Sequence, residues 1–145
     1  MKKIKDLKLS NDPCIAIRSV LFDDDDNTIK DKNKKQFITT KSSMLNVIFE
    51  DDTNLYLYAP KNYKFDGATI PFGIGKGDMK LVIPALFHDI CCDDKKLVNY
   101  DRKLASTIFK EALMKCKVNK FIAEEMYIHV EAYQKLFSKW REPDG

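Results

Sequence analysis

The 145-residue chain has no apolar run long enough to span a bilayer, and its first ten residues, "MKKIKDLKLS", lack the hydrophobic core of a signal peptide. Export by the ordinary route is therefore not expected. Cysteine is sparse and badly spaced for cross-linking. Cys14, Cys91, Cys92 and Cys116 form no CxxC pair, and adjacent cysteines cannot easily adopt disulfide geometry. Reduced thiols are expected, and a zinc set drawn from His88, Cys91 or Cys92, and Cys116 fits no zinc-ligand spacing. There is no GxxxxGK[ST] and no GxGxxG between a strand and a helix, so no phosphate cradle is expected. Charge of one sign is missing too. The net charge of +3 arises from signs mixed along the chain, which gives no footprint for nucleic acid or a membrane surface.

What is present is enough apolar residue, 44% of the chain, to build one core in one domain spanning residues 1–145. Residues 1–62 read as β-rich. "CIAIRSVLF" (Cys14–Phe22) and "QFITT" (Gln36–Thr40) are strand-like, with a polar aspartate-rich tip between them that lacks EF-hand spacing. "MLNVIFE" and "NLYLYAP" flank the turn "DDT", and Pro60 should end the second of these strands. Residues 63–78 hold four of the five glycines and read as a loop, a length that usually carries function.

Residues 79–140 read as helical, and 141–145 as a polar tail. The spacing predicts a short apolar helix over Leu81–Cys92, then a second over Asn99–Lys115 capped by Asn99 or Asp101. Its buried stripe includes Leu104, Ile108 and Leu113. A third helix runs from about Asn119 to Trp140, with Ile122, Met126, Tyr133, Leu136 and Phe137 on one face and His129 packed among them as a core histidine. The fold class is α+β: a small antiparallel sheet followed by three helices.

Chemistry concentrates in "ALFHDICC", where His88 and Asp89 adjoin on the first helix. Neighbours on a helix diverge by about 100°, so the two side chains point to different surroundings. Asp66 of the loop and Asp89 of the helix, completed by carbonyls and water, make a sensible hard-cation site, and a histidine beside it can deprotonate a bound water. The plainer alternative is a satisfied core histidine with a capping or exposed aspartate, and Asp66-Gly67 as a simple turn. Cys91 has no base placed for it and reads as a buried thiol.

Residues 65 to 110, and more loosely the last helix, resemble a family of small, mostly uncharacterised phage and prophage proteins. Its signature runs approximately "TDGASIP", "A-x-LHD-x-x-Y", "R-x-x-AD-x-x-F". Asp66, Gly67, Ala68, Ile70 and Pro71 match the first block, Ala85, His88 and Asp89 the second, and Arg102, Ala105 and Phe109 the third. The order of an Asp-Gly loop, an HD helix and a second helix is also similar to the calcium-dependent His–Asp secretory phospholipases of bacterial type. That resemblance implies Ca2+ held by Asp66 and Asp89, and His88 as the base. The dyad aspartate falls on Ser106, with Arg102 one turn before it as a catalytic group or as a clamp on Asp66 or Asp89. It implies a metal-assisted hydrolase acting on a lipid or other ester.

Two departures weaken catalysis: Ser106 cannot stabilise an imidazolium as a carboxylate does, and Cys92 stands where the family has an aromatic residue. Asp101 lies about 140° away around the helix and is a poor substitute. The alternative is a non-catalytic virion, tail or host-interaction protein, resident in the host cytoplasm or the particle.

Overall fold

The computed structural model describes residues 2–19, 35–65 and 79–141. Among the described residues, six strands come first: β1 (Ile4–Leu9), β2 (Ile15–Ser19), β3 (Lys35–Thr39), β4 (Ser43–Phe49), β5 (Asn54–Ala59) and β6 (Lys64–Phe65). Three helices follow: α1 (Met79–Asp93), α2 (Arg102–Lys115) and α3 (Lys120–Phe137), with a short 3-10 turn at Lys95–Val98 between the first two. The α+β class and the order of sheet before helices are as expected. The strands differ from expectation in forming two antiparallel three-stranded sheets, ordered β1-β4-β5 and β2-β3-β6.

The first sheet follows its residue pattern. β4 alternates strictly, with Ser43, Leu45, Val47 and Phe49 buried and the intervening residues half-buried, so one face turns to the core. The β4–β5 turn is built from the "DDT" residues. Asp52 adopts a positive φ of 66°, and the Asp51 carboxylate accepts from the Thr53 amide at 3.1 Å. Asn and Asp tolerate this region better than most residues. Strand β1 was not anticipated, because its lysines and aspartate mask a short apolar alternation. It pairs with β4 through a bulge between Ile4 and Asp6.

In the second sheet β2 and β3 pair antiparallel, as a hairpin requires, and the aspartate-rich tip between them lies outside the described residues. Tyr63 to Phe65 were expected to open a loop. Lys64 and Phe65 are instead paired with Ile38 and Phe37, and the Phe37 and Phe65 rings stack at 5.2 Å. Thr39, fully buried, secures this junction: its hydroxyl donates to the Pro60 carbonyl at 2.6 Å and accepts from the Tyr63 amide at 2.8 Å.

Helix α1 is the centre of the molecule. It starts earlier than expected, at Met79, so Pro84 is its sixth residue and supplies no amide to the hydrogen-bond ladder. It packs on β5 and on α2, while α2 also reaches β1 and carries α3 on its other side. Burial therefore surrounds α1. Of α2, Ile108 and Leu113 are buried as predicted, Ala105 and Phe109 are buried with them, and Leu104 is half-buried. Asp101 is the α2 cap, accepting from the Leu104 amide, and Asn119 caps α3 by accepting from Phe121.

The α3 expectation needs correction. Ala123, Met126 and Val130 face the core, whereas Ile122, Tyr133, Leu136 and Phe137 are exposed. The apolar residues of α3 cover a sector wider than its contact with α2 can bury, so periodicity alone assigned the inner face to the wrong edge of that sector. His129, expected in the core, is half-buried at the edge of this face. No described helix is long and apolar enough to cross a membrane.

Candidate functional site

His88 is 1% exposed on α1, against the ring of Phe109 from α2 at 5.3 Å between centroids. Burial pulls its pKa down to about 4, because an imidazolium in this packing loses its water. The ring is thus neutral near pH 7. One turn on, Cys92 places its sulfur 3.7 Å from Nδ1 and 3.9 Å from Nε2. Burial, and secondarily the Asp89 carboxylate, push the Cys92 thiol up to about 12. The contact is therefore between a neutral imidazole and a protonated thiol, with none of the character of an activated cysteine. Burial raises the Cys91 thiol as well, in keeping with its expected inert role.

Asp89 leaves the helix on a different side and is half-buried. It lies within electrostatic reach of Tyr63, as do Asp93 and Cys92. The Tyr63 hydroxyl donates to the Asp93 carboxylate, and burial together with that bond raises the phenol well above its ordinary range. Asp89 and Asp93 are one turn apart on α1, and both act on Tyr63, which directly precedes β6. The path from Thr39 to Tyr63 to Asp93 thus ties the start of the glycine-rich segment to the HD helix. Asp66, the expected loop ligand, lies outside the described residues.

Arg102 and Ser106 form a separate knot. They sit one turn apart on α2 and converge on Glu131 of α3. Arg102 Nε lies 3.2 and 3.3 Å from the two carboxylate oxygens, and the Ser106 hydroxyl donates to Oε1 at 2.6 Å. Glu131 is only 17% exposed and Arg102 26%. Arg102 is thus held by Glu131; of the two aspartates expected as its partners, Asp66 lies outside the described residues. Ser106, buried, donates its hydroxyl proton to Glu131, so a carboxylate of α3 meets this turn of α2. Glu131, Tyr63 and Asp93 escaped the sequence reading. Asp93 had a usable signal, since it is four residues beyond Asp89 on the same helix face. Tyr63 and Glu131 had none, as their partners are distant in sequence.

Residues 44–130, more than half of the chain, match the family described as "Protein of unknown function (DUF1353)". The chain belongs to this family. The DUF1353 match begins in β4 and ends within α3, so it takes in both the HD helix and the Arg102–Ser106 turn. No curated protein and no solved structure matches.

For a hard cation, the donor chemistry of this DUF1353 chain is suitable but incomplete. Asp89 and Asp93 offer carboxylate oxygens one turn apart. Among the described residues, no group of three or more His, Cys, Asp or Glu side chains is placed to hold a metal ion, which also removes the zinc set of His88, Cys91 or Cys92, and Cys116.

Proposed function

We propose that the chain is a phage-encoded protein with a phospholipase-like, metal-assisted hydrolase site for an ester or related carbonyl substrate, in a catalytically weakened form. The observation that carries this reading is the Tyr63–Asp93 bond beside Asp89, which starts the segment bearing Asp66 at the carboxylates of the HD helix. Calcium held by Asp66 and Asp89 would supply Lewis-acid polarisation of the carbonyl. His88 is neutral, as a base must be, but its depressed pKa makes it a weak proton acceptor at neutral pH. Ser106 contributes no charge to orient it.

The test is thermal unfolding with and without Ca2+, paired with turnover of a lipid ester. A calcium-dependent rise in Tm that is absent in Asp89→Asn supports the cation site. A Tm indifferent to calcium, magnesium and zinc removes the metal from the reading.

A second reading is favoured by the sealing of His88 and by the commitment of Ser106 to Glu131. On it, the protein is a non-catalytic virion, tail or host-interaction component built on the same scaffold, in the host cytoplasm or the particle. Co-purification with particles, without ester turnover at any calcium concentration, selects this reading over the first.

A further inference from the structure

The chain does not leave the molecule where α3 ends. Leu136 and Phe137 are 74% and 72% exposed, so neither anchors the last turn. Ser138 then takes extended angles, φ −140° and ψ 147°, and the helix stops. Two residues on, Trp140 returns to the core and is half-buried against its apolar cluster. Its indole N–H donates to Gln134 Oε1 at 3.1 Å, and the Lys95 ammonium stands 5.2 Å from its ring centroid.

Lys95 opens the 3-10 turn that follows α1. It stands three residues beyond Cys92, whose sulfur lies beside the His88 ring, and its charge reaches that thiol. Trp140 thus grips the connection that leaves the C-terminal end of the HD helix. That connection is strained: Asn99 and Tyr100, at φ 53° and 59°, are successive residues in the left-handed region. The grip itself is slight. Among the described residues, residues 138–140 are fixed beyond the α3 cap by the packing of one ring, one hydrogen bond and one cation–π contact. Each is a weak interaction at a partly exposed site, and the entropy of ordering the segment opposes them.

We propose that residues 138–140 form a strap closed over the C-terminal end of the HD helix, with Trp140 as its clasp on Lys95, and that its release opens access to the Cys92–His88 pair. His88 is sealed while the strap is closed, so any proton transfer at its ring requires an opening of this kind. As a control on His88 the strap rests on the hydrolase reading. Its opening is read without calcium or ester, so the two fail separately.

The test uses the full chain with Cys14→Ser and Cys116→Ser, which leaves Cys92 as the half-buried thiol beside the buried Cys91. Emission from Trp140, the sole tryptophan, reports the clasp. The rate of reaction with a small aromatic disulfide reports Cys92. In rising urea both are expected to change together while far-UV circular dichroism is still native. Trp140→Ala is expected to raise the Cys92 rate about tenfold and Lys95→Met about threefold, with circular dichroism unchanged. Leu136→Ala, on the bare side of the same helix end, should leave the rate within about a factor of two. Emission and thiol reactivity that change only as circular dichroism is lost overturn the proposal. So does a wild-type Cys92 rate in Trp140→Ala, or an equal rise in Leu136→Ala. A Trp140→Ala chain without native circular dichroism overturns it too, because the indole is then a part of the core and no clasp.

Discussion

Helices α1 and α3 are both rich in apolar residues, and each carries one of the two histidines. In α1 the sheet lies on one side and α2 on another, and burial reaches His88 and Cys91 along with Val82 and Leu86. In α3 the packing comes from α2, which covers Ala123, Met126 and Val130 and leaves Phe121, Leu136 and Phe137 in solvent. The difference teaches that apolar content sets how much surface a helix can bury, while its layer sets how much it does bury. A histidine in the inner layer is held neutral by its surroundings; the histidine in the outer layer borders a groove.

The strongest way to break this comparison is to truncate one aromatic residue in each layer. Phe109→Ala, beneath His88, is expected to cost about 3–5 kcal/mol in urea unfolding. Phe121→Ala should change the stability by no more than about 0.5 kcal/mol. Equal losses would mean that the outer face is not bare.

Acid sharpens the same contrast. The pKa of His88 falls from 6.5 to about 4 on folding, so the unfolded chain binds the extra proton between those values. Stability contributed by the neutral ring is complete above pH 6.5 and is lost as pH falls towards 4, by about 3 kcal/mol. Subtracting the urea-unfolding pH profile of His88→Gln from that of the wild type should isolate this loss. A flat difference would show that the ring is hydrated.

Between the layers stands the α2–α3 knot. Glu131→Ala strands a buried Ser106 hydroxyl and a largely buried guanidinium, and should cost about 1–3 kcal/mol. The exposed Lys2–Asp51 pair offers the control, because Lys2→Ala should cost under about 1 kcal/mol. A smaller effect than at the knot is expected at the seam between sheet and helix. Tyr63→Phe removes the bond to Asp93 and should lower stability by about 1 kcal/mol, read as a modest fall in Tm.

Much of this architecture was legible before any coordinates. Alternation in β4, the aspartates of its turn, Pro60 after β5, the cap Asp101 and the start of α3 near Asn119 are local signals with local causes. What could not be read were choices made by distant partners. The split into two sheets depends on β1 crossing to β4 and on β6 returning to β3. On α3, the sequence offers a broad apolar sector, and only the position of α2 decides which part of it is covered.

The site divides in the same manner. "HD" on an apolar helix, next to a glycine-rich segment, was visible as a place where chemistry can be held, and so was the missing carboxylate at Ser106. The identity of the helix and the neutral thiols follow from residue order and burial tendency. That Glu131 meets Ser106, that Tyr63 reaches Asp93 and that His88 is closed in by Phe109 were decided by tertiary packing. The physical reason is range: helix and turn preferences act over a few residues. Desolvation and hydrogen bonding act between whatever the folded chain brings together, here residues 25 and 30 positions apart.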